Sequence, residues 1–195
     1  MKQTCDVDDN RALREDAGNL AAFLHGLEMS EPDGFRNIVD TVRQIAPFFD
    51  GFVLAPSLLN SDKIRLEWRE KGNDEHFNAS ALSDGTLRFI CLATLLLQPQ
   101  LPSLVLIDEP ELCLHPAAIQ LLSGLLESAA TRTQIIVATQ SVTLLNQLEP
   151  KNLWVADRED GQSVFRKLEP EDTAGWLEDY ALGELWEKNI LGGRP

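Results

Sequence analysis

The fold is decided by residues 103–116, SLVLIDEPELCLHP. This stretch runs from an apolar segment into two adjacent carboxylates, Asp108 and Glu109, which a proline follows. Such a segment predicts a buried strand of a parallel sheet, and ligands of open α/β folds bind at the carboxyl ends of these strands. The alternative is an ordinary strand end, with two solvated acids and then Pro110.

The two neighbouring carboxylates are costly to ionise together unless a cation or a proton offsets their charge. Mg²⁺ near Asp108 would offset it, while Glu109 would orient a water for attack on a phosphoryl group. On this interpretation the first acid is a metal ligand and the second a catalytic base. The pair by itself leaves this interpretation and the solvated strand end both open.

The segments on either side of the acids alternate between helix and strand. Helices are predicted over about 84–98 and 116–130, and the apolar strand QIIVAT follows at 134–139. Apolar strands that alternate with helices indicate parallel strands with both faces covered. Short strands and a helical tail complete the chain, so the fold class is α/β.

The first 80 residues follow different patterns. Apolar residues at helical spacing predict helices that include residues 20–27 and 35–45. Alternation at 64–69 predicts a strand with one solvated face, and a turn at 70–74 leads to a returning strand at 75–80. We therefore expect a small antiparallel sheet beside the α/β part.

The sequence LSDGT at 82–86 stands where the first of those later helices begins. Ser83 suits the N-cap, and Gly85 allows close backbone approach, so the free N–H groups of the first turn could form an anion site. Asp84 is unfavourable beside a phosphate. An ordinary capped helix is therefore the alternative.

The strand at 134–139 leads into Thr139, Gln140 and Ser141. In a parallel sheet these side chains would lie beside Asp108 and Glu109. There the Gln140 amide could sense or orient a γ-phosphate. The alternative is that Ser141 caps the next helix while Gln140 is merely exposed.

The composition limits the class of protein. With 195 residues, 44% of them hydrophobic and 25% charged, the chain is long enough for a buried core. The net charge of 17 − 31 = −14 disfavours broad contact with nucleic acid or anionic membranes, although a local basic patch could still bind nucleic acid. Three scattered cysteines and no signal or membrane segment predict a cytoplasmic protein with no membrane partner.

The order and spacing of these motifs closely resemble the C-terminal half of an ABC-type ATPase, in the group of bacterial "AAA family" ATPases related to RecF, SMC and OLD proteins. LSDGT stands where that family has its signature motif, and LVLIDEPE matches its Walker B motif. ELCLHP resembles its D-loop, with Cys113 in place of a common glycine. VATQS occupies the switch position, where Gln140 replaces a common histidine. The resemblance implies a P-loop NTPase fold with ATP and Mg²⁺ as ligands.

The resemblance also assigns roles to individual residues. It implies that Asp108 is the acid associated with Mg²⁺, that Glu109 is the catalytic base and that Gln140 acts at the switch position. It implies that the signature residues contact a nucleotide held by another protomer. Those residues are Ser83, Asp84, Gly85 and Thr86.

The phosphate-binding Walker A loop of the family, G-x-x-x-x-G-K-[ST], occurs nowhere in the sequence. The resemblance therefore places residues 1–80 in the middle of the family's ATPase domain and residues 81–195 in its signature, Walker B and switch half. ABC-type protomers close head to tail on two ATP molecules. We accordingly expect a homodimer, or a hetero-oligomer with a chain that carries the loop, and we expect this chain to be inactive alone. The roles that the resemblance suggests are DNA maintenance or phage defence.

Two other classes of function stay open. The chain could be a non-catalytic module that pairs with a full-length ATPase, and complex formation preserved in Glu109→Gln would favour that class. It could also be an ATPase associated with a metal-dependent nuclease. The sequence has no second acidic cluster on its own strand framework, so the nuclease class ranks last.

Overall fold

The two predicted N-terminal helices are present in the computed structural model, which describes residues 1–193. They are α1 (Leu20–Ser30) and α2 (Pro32–Ile45). Each turns its apolar residues inward, and Leu24 of α1 and Ile38 of α2 are fully buried in one shared cluster. Pro32 opens α2 at a position where the missing N–H costs no hydrogen bond.

The strands of this part form two small antiparallel sheets. Ile64, Leu66 and Trp68 are buried while Arg65 and Arg69 are exposed, which confirms the predicted alternation. The single strand predicted over 64–69 is wrong, because residues 65–66 separate two strands that lie in different sheets. One sheet pairs β1 with β3, and the other has the order β2-β4-β5. The five strands are β1 (Cys5–Asp6), β2 (Phe49–Val53), β3 (Lys63–Ile64), β4 (Glu67–Glu70) and β5 (His76–Asn78).

The parallel strand pair lies in the second part of the chain. Its elements are α3 (Asp84–Leu97), β6 (Leu104–Asp108), α4 (Pro116–Ala130) and β7 (Gln134–Ala138). Strand β6 pairs with β7 in parallel, which confirms the predicted α/β class. Helix α3 packs in two directions: Ile90 joins the N-terminal cluster, while Phe89 packs with Leu122 of α4. The division of the chain at residue 80 stays a prediction.

The expectation that both faces of the parallel strands are covered is wrong. Ile107 and Ile135 pack against the cluster between α3 and α4. On the opposite face, Leu104, Leu106 and Ile136 are 43%, 69% and 51% exposed. The reason is that both helices lie on the same side of the strand pair, and residues 1–193 supply no second layer. We call this surface of Leu104, Leu106 and Ile136 the bare face.

The C-terminal part contains an antiparallel hairpin and three short helices. Its elements are α5 (Val142–Leu145), β8 (Trp154–Glu159), β9 (Gln162–Lys167), α6 (Pro170–Thr173) and α7 (Leu182–Glu187). Leu168, Leu182 and Leu185 are buried at its centre. The N–H of Gly183 donates to the Asn146 side chain at 2.6 Å and ties α7 to the end of α5. No helix among residues 1–193 is long and apolar enough to cross a bilayer.

Candidate functional site

Two groups of polar residues follow neighbouring strands at one edge of the parallel pair. Asp108 ends β6 directly opposite Ala138, which ends β7. The N–H of Glu109 then donates to the carbonyl of Ala138 at 2.9 Å, so the pairing continues one residue past the strands. Residues 139–141, which we call the switch segment, follow immediately. The predicted acids and the switch segment therefore share the same edge.

The chain turns sharply after β6 in residues 108–115, which we call the acidic turn. Glu109 and Cys113 have φ angles of 45° and 64°, in the left-handed region that non-glycine residues rarely occupy. Arg88 of α3 donates through Nη2 to the carbonyl of Glu109 at 2.6 Å and reaches the carbonyl of Asp108 at 3.3 Å. Helix α3 thus holds the backbone at both candidate acids. Sequence reasoning missed Arg88, although its place one turn into α3 could have indicated it.

Gly85 lies directly against the acidic turn. A Cβ atom at this position would stand 2.2 Å from the carbonyl oxygen of Cys113, which is far inside van der Waals contact. The sequence predicted that Gly85 allows close backbone approach, and the backbone that approaches is that of the chain's own Cys113. The glycine is thus required for packing between α3 and the acidic turn, whatever else binds there.

Helix α3 begins with its predicted cap. The Ser83 hydroxyl accepts from the N–H of Thr86 at 3.1 Å and lies 2.8 Å from the Thr86 hydroxyl. The Nζ of Lys2 donates to Asp84 at 2.8 Å, and this hydrogen bond lowers the pKa of the Asp84 carboxyl. Lys2 therefore offsets part of the negative charge that made Asp84 an unfavourable neighbour for a phosphate.

Glu111 is a buried carboxylate that sequence reasoning did not single out. The residue is only 7% exposed, and its Oε1 accepts from the Thr139 hydroxyl at 2.5 Å. Its other oxygen, Oε2, is buried with no hydrogen-bond partner among residues 1–193. The signal that could have found it is a third acid, two residues after the adjacent pair, inside the matched motif.

The pKa of Glu109 is raised above its ordinary value. Partial burial of the carboxyl is the main cause, followed by the negative charges of Glu111 and Asp108, while the positive charge of Arg88 acts in the opposite direction. A carboxyl with a raised pKa is a better proton acceptor once it is ionised. The surroundings of Glu109 are therefore suited to a general base.

The switch segment combines a helix cap with an exposed amide. The Ser141 hydroxyl accepts from the N–H of Leu144 at 3.2 Å and caps α5, while Gln140 is exposed. These are the features of the alternative interpretation of this segment. Exposure also leaves the amide free to contact a bound group, so a role for Gln140 at the γ-phosphate stays a prediction.

Asp108 and Glu109 are better suited to a metal ion whose other ligands are phosphates and waters than to a metal site formed by protein side chains alone. No three His, Cys, Asp or Glu side chains in the described part of the chain converge closely enough to hold a metal by themselves. Nucleotide-bound Mg²⁺ needs only one or two carboxylates, because phosphates and waters supply its other ligands. Asp108 is exposed at the strand end and makes no ion pair within residues 1–193, so it fits that use.

One cavity in the described part of the chain lies away from these residues. It has a volume of about 420 Å³ and lies against the N-terminal segment, with Arg14, Asp16 and Lys63 among its lining residues. None of the candidate residues lines it. The candidate residues therefore lie at an open edge of the strand pair, outside this cavity.

Comparison with protein families finds one match. Residues 8–146, more than two thirds of the chain, match the family described as "AAA domain, putative AbiEii toxin, Type IV TA system". The matched segment contains α3, the acidic turn and the switch segment. A search of curated proteins finds no match.

Solved structures share the fold at low sequence identity. A chain of SMC ATPases studied for ATP-driven dimerization and DNA-stimulated activation has a TM-score of 0.57 and 18% identity, and the match covers 80% of this chain and 96% of that one. An Smc head bound to the C-winged helix domain of ScpA has a TM-score of 0.59 and 17% identity, and the match covers 85% of this chain and 50% of the Smc head. A Pyrococcus furiosus Smc head with an extended coiled coil, bound to the C-terminal domain of ScpA, has a TM-score of 0.56 and 19% identity, with 84% and 44% covered. The chain thus spans half or less of the two Smc heads.

Proposed function

The chain belongs to the family described as "AAA domain, putative AbiEii toxin, Type IV TA system", and from this premise we propose that it is the signature, Walker B and switch half of an ABC-type ATPase domain. The observation that carries the proposal is the meeting of three groups at one edge: the carboxylates of Asp108 and Glu109, the switch segment, and the start of α3. Arg88 and Ala138 hold the backbone at the two acids, which is the rigidity that positioned catalysis requires.

We assign Asp108 to the magnesium ion that accompanies ATP and Glu109 to the attacking water. Bound Mg²⁺ would offset negative charge on the phosphates. Glu109 would orient the water by accepting a hydrogen bond from it and would then accept its proton. The raised pKa of Glu109 makes the ionised carboxylate a stronger proton acceptor. Gln140 is the proposed contact to the γ-phosphate, since its amide is exposed at the same edge.

The start of α3 is the proposed contact to a nucleotide held by another protomer. Ser83 and Thr86 present hydroxyls there, and the helix dipole favours an anion at that end. Asp84 would stay paired with Lys2. Gly85 acts indirectly, because it lets the helix start lie against the acidic turn.

We propose that the phosphate-binding loop comes from another chain or from sequence beyond this one. The bare face supports this proposal, because parallel strands are normally covered on both faces, and here one face of the pair presents leucine and isoleucine to solvent. ATP-driven dimerization is described for an SMC relative of the same fold. A second copy or a loop-bearing ATPase chain is the proposed partner.

A role with DNA is the finer part of the proposal. Its support is the DNA-stimulated activation described for an SMC relative. The net charge of −14 works against broad contact with a phosphate backbone, so any such contact would be local or carried by the partner.

ATP binding by the purified chain tests the proposal directly. The chain is titrated with ATP and Mg²⁺ while binding and mass are measured, first alone and then after co-expression with the loop-bearing half of a related AAA domain. We expect no binding of ATP below millimolar concentration by the chain alone, and binding with hydrolysis in the complex. Glu109→Gln in the complex should abolish hydrolysis and keep binding, while Glu28→Gln, on the exposed side of α1, should change neither. Steady hydrolysis by the chain alone would refute the proposal.

A non-catalytic pairing module is the second candidate, and the bare face is the observation that favours it. The same complex distinguishes the two functions. A complex that forms equally well without ATP and Mg²⁺, and that never hydrolyses ATP with Glu109 intact, would establish the module and exclude the ATPase.

A further inference from the structure

Glu111 connects two segments that carry the candidate site. It lies in the acidic turn, two residues after Glu109, and its carboxylate reaches Thr139, the first residue of the switch segment. The Thr139 hydroxyl lies 2.5 Å from Oε1, within hydrogen-bond distance. The contact joins residues 28 positions apart in sequence.

The Thr139 hydroxyl has a second partner inside the switch segment. It accepts from the N–H of Ser141 at 3.0 Å. A hydroxyl has one proton to donate, and that proton is given to Glu111, so its lone pairs are left for the Ser141 N–H. The Ser141 side chain in turn caps α5 by accepting from Leu144. A continuous chain of hydrogen bonds therefore runs from the acidic turn to α5.

The burial of Glu111 is costly. A buried carboxylate loses its hydration, and here only Oε1 is compensated by a donor among residues 1–193. The carboxylate nevertheless reaches the Thr139 hydroxyl, one residue past the end of β7.

We propose that Glu111 is a positioning residue that fixes the switch segment, and Gln140 within it, relative to Glu109. Glu111 acts through Thr139: the carboxylate orients the hydroxyl, and the hydroxyl holds the Ser141 amide. The neighbouring backbone of Glu109 is held independently by Arg88 and Ala138. Loss of Glu111 should thus release the switch segment and leave the backbone of the two acids in place. The consequence for hydrolysis rests on the proposed function, whereas the positioning itself does not.

Amide hydrogen exchange of the purified chain tests the positioning without any nucleotide. Thr139→Val keeps the shape and removes the hydroxyl, and Glu111→Leu removes the acceptor. Both should speed exchange at the Ser141 amide about tenfold, the effect of losing one hydrogen bond. The double variant should exchange no faster than either single one, because both break the same connection.

Conservative variants separate positioning from general loss of stability. Thr139→Ser retains the hydroxyl and Glu111→Gln retains an acceptor oxygen, so both should keep the Ser141 amide protected. The amides of α4 serve as an internal reference and should not change. If Glu111→Leu fails to fold, Glu111→Asp, which has the shorter side chain, takes its place. Unchanged protection in the Glu111 variant or in Thr139→Val, or equal acceleration in Thr139→Ser, would overturn the proposal.

Kinetics in the reconstituted complex extend the test to catalysis. Thr139→Val should lower kcat about tenfold or more and leave the KM for ATP within a factor of two, since ATP contacts other groups. A rise in KM with unchanged kcat would contradict a role at the reacting phosphate. If the unaltered complex does not hydrolyse ATP, the proposed function fails, and the exchange experiment still decides the positioning.

Discussion

Gly85 and Cys113 are in contact where helix α3 packs against the acidic turn. One substitution at each position tests how that residue contributes to stability. Gly85→Ala places a methyl group where the Cys113 carbonyl oxygen lies 2.2 Å away, and neither backbone can yield easily. We expect a loss of roughly 1–3 kcal/mol in the free energy of unfolding, typical of overpacking. Urea denaturation followed by circular dichroism measures it.

The matched control is Gly124→Ala, in the middle of α4. Nothing lies within 4 Å of a Cβ atom at this position. Alanine should therefore stabilise the chain by about 0.5–1 kcal/mol through its higher helix propensity. Similar destabilisation by both substitutions would show that close packing at Gly85 is not the cause.

The conformation of Cys113 explains why glycine suits its position in the acidic turn. Its φ angle of 64° costs about 1–2 kcal/mol for a residue with a Cβ atom. Cys113→Gly relieves this cost, partly offset by the greater freedom of glycine in the unfolded chain. We expect a net gain of up to about 1 kcal/mol in a urea titration. Cys113→Ala keeps the Cβ atom and should give no such gain; an equal gain there would contradict the explanation.

The raised pKa of Glu109 predicts a stability that depends on pH. The folded chain binds this proton more tightly than the unfolded chain, where the ordinary value is 4.5, so stability falls as pH rises through the interval between the two values. Glu109→Gln removes this loss. Measured with a chelator present, the variant should gain stability over the unaltered chain as pH rises above 4.5.

A control at an exposed acid isolates that effect. Glu28→Gln, on the surface of α1, should leave the pH dependence of unfolding unchanged. The stability difference between Glu109→Gln and the unaltered chain should be larger at neutral pH than at pH 4. An equal difference at both pH values would mean that the surroundings do not raise the pKa of Glu109, which would contradict its assignment as a base with a raised pKa.

At the scale of elements, the strand pair β6–β7 has one packed face and one bare face. A substitution to threonine on each face compares how much the two faces contribute to the free energy of unfolding. Leu106 is 69% exposed, whereas its neighbour Val105 is 5% exposed. Leu106→Thr should cost less than about 0.5 kcal/mol and reduce self-association. Val105→Thr buries a hydroxyl and should cost about 1–3 kcal/mol. Unfolding curves and light scattering give the two results.

The comparison also tests whether the bare face binds a partner. If Leu106 is a contact residue, Leu106→Thr should weaken the complex with a loop-bearing ATPase half without destabilising the free chain. An equal loss of free-chain stability in Leu106→Thr and Val105→Thr would mean that the bare face is covered within the chain. The exposed leucine would then be no interaction site.

At the scale of the whole molecule, two electrostatic effects on stability oppose each other. The net charge of −14 destabilises the compact state by repulsion, while surface ion pairs such as Lys2–Asp84 and Arg69–Asp50 stabilise it. Exposed pairs contribute little individually, while unpaired acids repel one another in the compact state. We expect stability in urea to rise from low to physiological ionic strength as salt screens the repulsion. A fall would show that the ion pairs outweigh it. An uncharged osmolyte at equal osmolality serves as the control.

Much of this architecture could be read from local patterns. The helical spacing around Leu24 and Ile38 predicted α1 and α2, and the alternation around Leu66 predicted β4 with its solvated face. The apolar runs before Asp108 and Thr139 predicted a parallel strand pair. These features depend on neighbours a few residues apart along the chain, so their periods appear in the sequence itself.

The sequence by itself determined which elements form, which residues end the parallel strands and which family motifs they carry. Only the tertiary structure decided that one face of the strand pair is bare. It also decided three contacts: the Cys113 carbonyl lies against Gly85, Arg88 holds the acidic turn, and Glu111 is buried against Thr139. The physical reason is distance along the chain. The three contacts join residues at least 20 positions apart, and whether they meet depends on how whole elements pack, which no local period encodes.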